Sequence, residues 1–255
     1  MKIGIITGAS SGLGRAYAKR ADKTMDLDEL WLIARREDRL RDLAGELNTP
    51  AKVLPLDLTE RESAARLEAL LEREDAREGL LVFAAGFGKF GRAEDMSLRE
   101  NEDMIDLNCR AAVDVTRVCI PRLTKGSRVL EICSSAAFQP LPGMNIYAAT
   151  KAFLLRYTRA LRRERAGRGV KITAVCPFWI KTEFMEVARR TENPTAVRHT
   201  PFAMRPEAVA AWSLDMNALG LAVATCGPIP LIMRIGSKIQ PSCVTMGVWE
   251  GGRRV

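Results

Sequence analysis

Short apolar runs that alternate with amphipathic stretches of helical period constrain this chain more than any other feature. The runs fall near Lys2–Thr7, Leu30–Ala34, Ala51–Leu56, Leu80–Ala84, Ser127–Cys133 and Val170–Cys176. They are mostly apolar on both faces, the pattern of parallel strands buried under helices. Between them, periodicity predicts helices over Leu13–Lys23, Glu37–Leu47, Glu60–Arg73, Leu98–Leu123 and Asn145–Ala166. Parallel strands need right-handed crossovers, so this order predicts an α/β fold, doubly wound, with a mostly parallel central sheet inside a three-layer sandwich.

A length of 255 residues fits one domain spanning 1–255, and 47% hydrophobic residues suffice for its core. No apolar run approaches the roughly 20 residues of a membrane helix. The first strand starts at Lys2, leaving no room for a targeting segment, so a cytoplasmic location is expected. From Phe178 to Met204 the alternation breaks down around Pro194, Pro201 and Pro206. Long irregular segments in compact domains often close over sites, so a substrate lid is expected at about 178–210. Beyond Gly220 the pattern is hard to place. Gly227–Met233 is read as a last strand whose prolines suit an edge or entry position.

The cysteines (109, 119, 133, 176, 226 and 243) form no C-x-x-C pair and read as buried, reduced thiols. With one histidine, His199, a zinc site lacks ligands, and no metal is expected. The net charge of +8 includes a basic stretch from Arg156 to Lys171, read first as a solvated helix face and second as a docking face for an acidic carrier. Aromatics make up only 6% of the chain and no nucleic-acid motif is present, so neither nucleic acid nor membrane is an expected partner.

The turn Thr7-Gly-Ala-Ser-Ser-Gly-Leu-Gly14 closes the first strand and opens a helix. Gly8, Gly12 and Gly14 allow a tight turn that lets backbone N–H groups and the helix N-terminus approach a pyrophosphate. The Rossmann-like reading of the sheet rests on this turn. Gly8-Ala-Ser10-Ser-Gly12 also matches a nucleophile elbow, but an α/β-hydrolase places several strands before it and His199 would be the sole base. A P-loop fails because no Lys-Ser/Thr follows. The second strand ends Ala34-Arg35-Arg36. An NAD site usually places an acid there for the ribose 2′-hydroxyl, whereas guanidinium suits a 2′-phosphate. Preference for NADP(H) is expected, with NAD(H) possible.

Tyr147 and Lys151 lie one helical turn apart, and Ser134 ends the preceding strand. A phenol of pKa about 10 needs roughly 4 kcal/mol to be poised near 7. One positive charge at about 4 Å supplies that much at an effective dielectric of 20. Lys151, helped by oxidised nicotinamide, is therefore expected to lower Tyr147. Asn108 lies inside the long helix predicted over Leu98–Leu123, where asparagine is mildly unfavourable, and that local inconsistency suits a functional position.

With these segments, together with Asp57-Leu58, Ala85-Gly86, Asp106-Leu-Asn108 and Pro177 with Thr182, the chain resembles the short-chain dehydrogenase/reductase family from about residue 2 to residue 190. The resemblance implies Tyr147 as general acid/base and Lys151 as the group that holds the nicotinamide ribose and tunes the phenol. It implies Ser134 as a hydrogen bond to the substrate oxygen and Asn108 as support for a water-linked relay. It places Gly8, Ser10, Ser11, Gly12, Leu13, Gly14, Arg35, Arg36, Asp57, Leu58, Ala85, Gly86, Pro177 and Thr182 around the cofactor, with Tyr147 and Lys151. It also implies a homodimer or homotetramer formed through the two longest helices.

Two departures stand out. Phe83-Ala-Ala-Gly86 replaces the family's Asn-Asn-Ala-Gly, and Phe178 follows Pro177 where the family usually has glycine. The leading expectation is an oxidoreductase that interconverts a small-molecule ketone or aldehyde and an alcohol. Phe178, Trp179, Phe184, Met185, Phe202 and Met204 favour a hydrophobic substrate. The alternatives are a catalytically silent dinucleotide-binding sensor or scaffold, which has no need of a proton donor at Tyr147, and a carrier-dependent reductase.

Overall fold

The computed structural model describes residues 1–190, 200 and 202–254. His199, Pro194, Pro201 and the middle of the expected lid lie outside the described residues. Among those described, seven strands form one sheet in the order β3-β2-β1-β4-β5-β6-β7. They are β1 (Lys2–Thr7), β2 (Glu29–Ala34), β3 (Ala51–Pro55), β4 (Arg77–Phe83), β5 (Leu123–Ile132), β6 (Lys171–Val175) and β7 (Val223–Ala224). Every neighbouring pair is parallel, so the sheet is wholly parallel rather than mostly so.

Helices cover both faces: α1 (Gly12–Thr24), α2 (Glu37–Gly45), α3 (Glu62–Arg73), α4 (Leu98–Ile105), α5 (Ala111–Cys119), α6 (Asn145–Glu164), α7 (Phe184–Arg189), α8 (Pro206–Ala218), α9 (Pro228–Ile239) and α10 (Ser242–Arg254). Successive strand side chains point to opposite faces, and the core divides accordingly. Ile3, Ile5, Trp31 and Ile33 pack under α3, α5 and α6, with Leu67, Val115 and Leu154. Ile6, Leu30 and Leu32 pack under α1, α2 and α8, with Tyr17, Leu40 and Leu214. The Tyr17 hydroxyl bonds to Ser213 and pins α1 to α8 across this layer.

Two elements differ from the sequence reading. The helix expected over Leu98–Leu123 is broken. A π-helical turn at Asp106–Arg110 separates α4 from α5, and Leu123 already belongs to β5. The strand expected within Gly227–Met233 is the start of helix α9, and the last strand is the two-residue β7 before it. Pro228 and Pro230 fall in the first turn of α9, where a missing N–H costs nothing, so they initiate a helix as readily as they mark a strand edge. Residues 206–210, at the end of the expected lid, open α8, where Val209 and Ala210 are buried in the core.

All six cysteines are free. Four are buried, Cys109 is half-buried and Cys243 is exposed. Arg156, Arg159, Arg163 and Arg168 are solvated, but Arg162 donates to the Ile172 and Gly220 carbonyls at 2.9 and 2.8 Å and ties α6 to β6.

Two buried acids give the fold a pH dependence. Burial pushes Glu78 up to about 8, opposed by the Cys119 thiol and Arg122. Burial pushes Glu131 up to about 8, opposed by Thr116, which donates to it at 2.7 Å, and by Lys151. Folding therefore favours the neutral acids. Their stabilisation is complete below the ordinary carboxylate range and is lost as pH rises toward about 8. Thermal melts should show stability falling from pH 5 to pH 8, and Glu131→Gln should flatten that slope. An unchanged slope would show that Glu131 ionises freely in the native state.

Candidate active site

The strand order reverses beside β1, whose neighbours are β2 and β4. Crossovers leave β1 and β4 in opposite directions there, which opens a crevice at their carboxyl ends. The Thr7 hydroxyl accepts from the Ala84 and Ala85 amides at 3.0 Å each and locks the two strand ends together. That side chain supplies local support where the family pattern has asparagines. Gly8 has φ +66°, and a Cβ on it would lie 2.9 Å from the Ala84 carbonyl oxygen. A Cβ on Gly14 would lie 2.3 Å from the Gly8 oxygen. The turn is therefore a bare-backbone cradle. Helix α1 starts from it with no side-chain cap, so its N–H groups remain for an anion.

A cavity of about 650 Å³ runs from this cradle across the strand ends to α10. Gly8, Ser10, Ser11, Gly12, Leu13, Gly14, Arg35, Arg36, Asp57, Leu58, Ala85, Gly86, Ser134, Tyr147, Lys151, Pro177 and Thr182 all line it. Of the catalytic and cofactor-binding residues expected from the sequence, Asn108 stands behind the wall, fully buried. At the cradle end, Arg36 donates to Ser11 Oγ at 2.7 Å and to Ser10 Oγ at 3.1 Å. Arg35 pairs with Asp57 at 3.7 Å. Asp57 also accepts from the Thr59 amide and hydroxyl at 3.0 and 2.7 Å. Although partial burial raises the Asp57 carboxyl, those bonds and Arg35 bring it below its ordinary value. The Thr182 side chain lies 3.1 Å from where a Gly12 Cβ would sit, so the segment after β6 closes over the cradle.

The chemical end is built by α6, β5 and the π turn. Tyr147 and Lys151 project from the first two turns of α6 and are 7% and 5% exposed. Lys151 Nζ donates to the Ile132 carbonyl at 2.9 Å and sits 5.9 Å from the Tyr147 ring centroid. Ser134 follows β5, its hydroxyl accepting from the Ala136 amide at 3.1 Å. The π turn aims the Asn108 side chain between the segment after β4 and helix α6. Its amide donates to Phe87 O at 2.8 Å and Thr150 Oγ1 at 3.1 Å, and its oxygen accepts from Phe87 N at 3.1 Å. A π turn inside a helix is costly and frequent at functional sites. Here it delivers an asparagine that an unbroken helix would aim elsewhere.

The electrostatics differ from the sequence reading in one respect. Burial pushes the Tyr147 phenol up to about 12, and the Ser134 hydroxyl offsets only part of that. Burial also lowers the Lys151 ammonium. Desolvation is the largest influence on both groups, so the protein's own groups keep the phenol protonated.

Beyond Tyr147 the cavity is aromatic. The Phe184 and Phe90 rings lie 5.5 and 6.0 Å from the Tyr147 ring, and Trp179 lies 6.2 Å from Phe90. Phe178, Trp179, Phe184 and Met185 line the wall as expected. Phe202 is 77% exposed, and Met204 pairs with Ile180 and packs into the core. The unexpected wall comes from the C-terminal helices: Met233 of α9 and Trp249 of α10 line the cavity. Trp249 Nε1 donates to the Pro142 carbonyl at 2.9 Å. A tryptophan in a segment with no legible periodicity was the one signal available in the sequence. Among the described residues, no group of three His, Cys, Asp or Glu is placed to hold a metal, and no helix is long and apolar enough to cross a membrane.

Residues 2–193 match the family model described as short chain dehydrogenase. The chain is 38% identical over 187 residues to sulfoacetaldehyde reductase 2 of Chromohalobacter salexigens, covering 71% of this chain and 73% of that protein. It is 33% identical over 185 residues to serine 3-dehydrogenase of Agrobacterium fabrum, covering 71% and 72%. Among solved structures it is similar to a short-chain dehydrogenase from Sphingobium yanoikuyae in complex with NADPH. That match has 30% identity and a TM-score of 0.77, and covers 88% of this chain and 87% of the other.

Proposed function

Because this chain belongs to the short-chain dehydrogenase family of oxidoreductases, we propose that it is an NADP(H)-dependent enzyme that reduces a bulky, apolar ketone or aldehyde to an alcohol, and can run the reverse reaction. The observation that carries this reading is one continuous cavity that joins a glycine cradle and an arginine to a buried tyrosine, with an aromatic wall beyond it. The cradle and the uncapped start of α1 fit a pyrophosphate, and the bound nicotinamide would supply the hydride.

The chain's own residues do the rest. Gly8, Gly12 and Gly14 let backbone reach the pyrophosphate, with Ser10, Ser11 and Leu13 beside them. Arg36, held by Ser10 and Ser11, reads a 2′-phosphate, while Arg35, Asp57 and Leu58 border the adenosine. Ala85 and Gly86 shape the floor, and Pro177 and Thr182 border the nicotinamide. Lys151 holds the ribose and fixes Tyr147, Ser134 orients the substrate oxygen, and Tyr147 gives that oxygen its proton. Asn108 fixes the Phe87 backbone beside them. The segment from Phe178 and helices α7, α9 and α10 exclude water. Exposed Phe153, stacked on Tyr157 of α6, and exposed Ile105 of α4 suit a homo-oligomer contact, checked by light scattering.

The deciding experiment is calorimetric titration of the purified protein with NADPH and NADH. NADPH should bind more tightly, and Arg36→Ala should erase most of the difference. Equal binding by wild-type protein would overturn the NADP(H) preference. A second test concerns the substrate. Trp249→Ala opens the apolar end of the cavity and should improve kcat/KM for bulkier ketones by roughly tenfold relative to small aldehydes, the scale set by one large apolar contact. An unchanged ranking across a carbonyl panel would remove α10 from the substrate site.

A further inference from the structure

The segment that follows Thr182 carries its own anion into the cofactor site. Glu183 Oε1 accepts from Arg39 Nη1 at 2.7 Å, and Oε2 accepts from Arg36 Nη1 at 3.1 Å. Arg36 spends its remaining donors on Ser10 and Ser11. Two guanidiniums at the rim of the cradle, beside the end of β2, thus already grip a carboxylate, one of them braced by two serine hydroxyls. The hydrogen bonds from Arg39 and Arg36 hold Glu183 below the usual carboxylate range, so it is an anion at neutral pH.

We propose that Glu183 is an internal competitor for the 2′-phosphate subsite, and that Arg39 is a further member of that subsite. The proposal rests on the reading of Arg36 given above. A 2′-phosphate carries more charge than a carboxylate and three free oxygens, so it is the better ligand for a pair of guanidiniums. The side chains of Arg36, Arg39 and Glu183 are 42%, 40% and 46% exposed, so each ion pair is weak and exchangeable. NADP(H) therefore displaces Glu183, whereas NAD(H), without that phosphate, leaves it on the arginines. Displacement reaches the substrate end, because the next residue, Phe184, lies against the Tyr147 ring. The identity of the cofactor is thereby coupled to the placement of α7.

The test is titration of the full chain with NADPH and with NADH, for wild type, Glu183→Gln and Arg36→Ala. Glu183→Gln keeps the shape and removes the charge. It should tighten NADPH by roughly fivefold, as expected for releasing two half-exposed ion pairs, and change NADH by less than about twofold. NADPH binding that is unchanged or weakened in Glu183→Gln, while Arg36→Ala selectively weakens NADPH, overturns the competitor and leaves the arginine reading intact. If Arg36→Ala weakens both cofactors equally, both ideas fall together. Glu183→Ala repeats the measurement should the glutamine retain hydrogen bonds to the arginines, with tightening again the supporting result and no change the opposing one.

Discussion

Tyr147→Phe should lower carbonyl reduction by roughly 10²- to 10⁴-fold, the range for removing a positioned general acid, while cofactor affinity stays within about twofold. The substitution deletes one hydroxyl from a ring held by Phe90 and Phe184, so the aromatic wall survives and the fold is undisturbed. Lys151 keeps its bond to the Ile132 carbonyl, so the ribose site survives as well. NADPH consumption against a panel of ketones, beside calorimetry on the same preparation, separates the two effects. Full activity in the variant would mean that Tyr147 is a wall residue and that the proton comes from elsewhere. The phenol's position at about 12 adds a pH signature. The acid form is the working form for reduction and persists well above neutrality, so kcat/KM for reduction should show no fall assignable to Tyr147 between about pH 6 and pH 9. Oxidation needs the phenolate and should rise with pH over the same span. A fall in reduction centred near neutrality would mean that Lys151 and the bound dinucleotide outweigh the burial that dominates here.

The strand–helix alternation made the sheet legible because both periods are local. β1, β2 and β3 pack with the apolar faces the sequence shows. The glycine turn was legible for the same reason, since Gly8 and Gly14 answer to contacts within a few residues or with the adjacent strand. What escaped was tertiary. Asn108 was legible as a weak point of the helix at Asp106–Arg110, but its bonds to Phe87 and Thr150, which the break permits, were not. Pro228 and Pro230 suit an edge strand and a helix start equally, and the choice was made by β7, too short to be seen as an apolar run. Trp249 joins the cavity from more than 100 residues beyond Tyr147, which no local pattern encodes. The upward shift of Tyr147 follows from burial, which the sequence does not reveal. The pairing of Glu183 with Arg36 and Arg39 likewise depends on how the segment after β6 folds back over the cradle.

Gly14→Ala should be the most damaging single methyl in the chain. The new Cβ would stand 2.3 Å from the Gly8 oxygen and 2.5 Å from the Gly8 carbonyl carbon, and both are backbone atoms with no rotamer to yield. Either the turn or α1 must move. Helix α1 cannot retreat cheaply, because Tyr17, Ala18 and Ala21 are fully buried and Tyr17 is bonded to Ser213 of α8. Gly8 has little room either, since even a Cβ on it would stand 2.9 Å from the Ala84 carbonyl oxygen. Overpacking a side chain commonly costs about 1–3 kcal/mol, and a clash between two backbone segments belongs at or above the top of that range. A loss of about 3 kcal/mol corresponds to a fall in Tm of roughly 6–12 °C for a domain of this size. Because the displaced N–H groups are those proposed to meet the pyrophosphate, NADPH and NADH binding should be lost together, unlike the selective loss expected of Arg36→Ala. Gly45→Ala is the matched control. Gly45 ends α2 with nothing within 4 Å of its would-be Cβ, so alanine there should be neutral or stabilise by up to about 1 kcal/mol. If both variants melt alike and bind NADPH alike, the close approach of Gly14 to Gly8 is not what shapes the cofactor site.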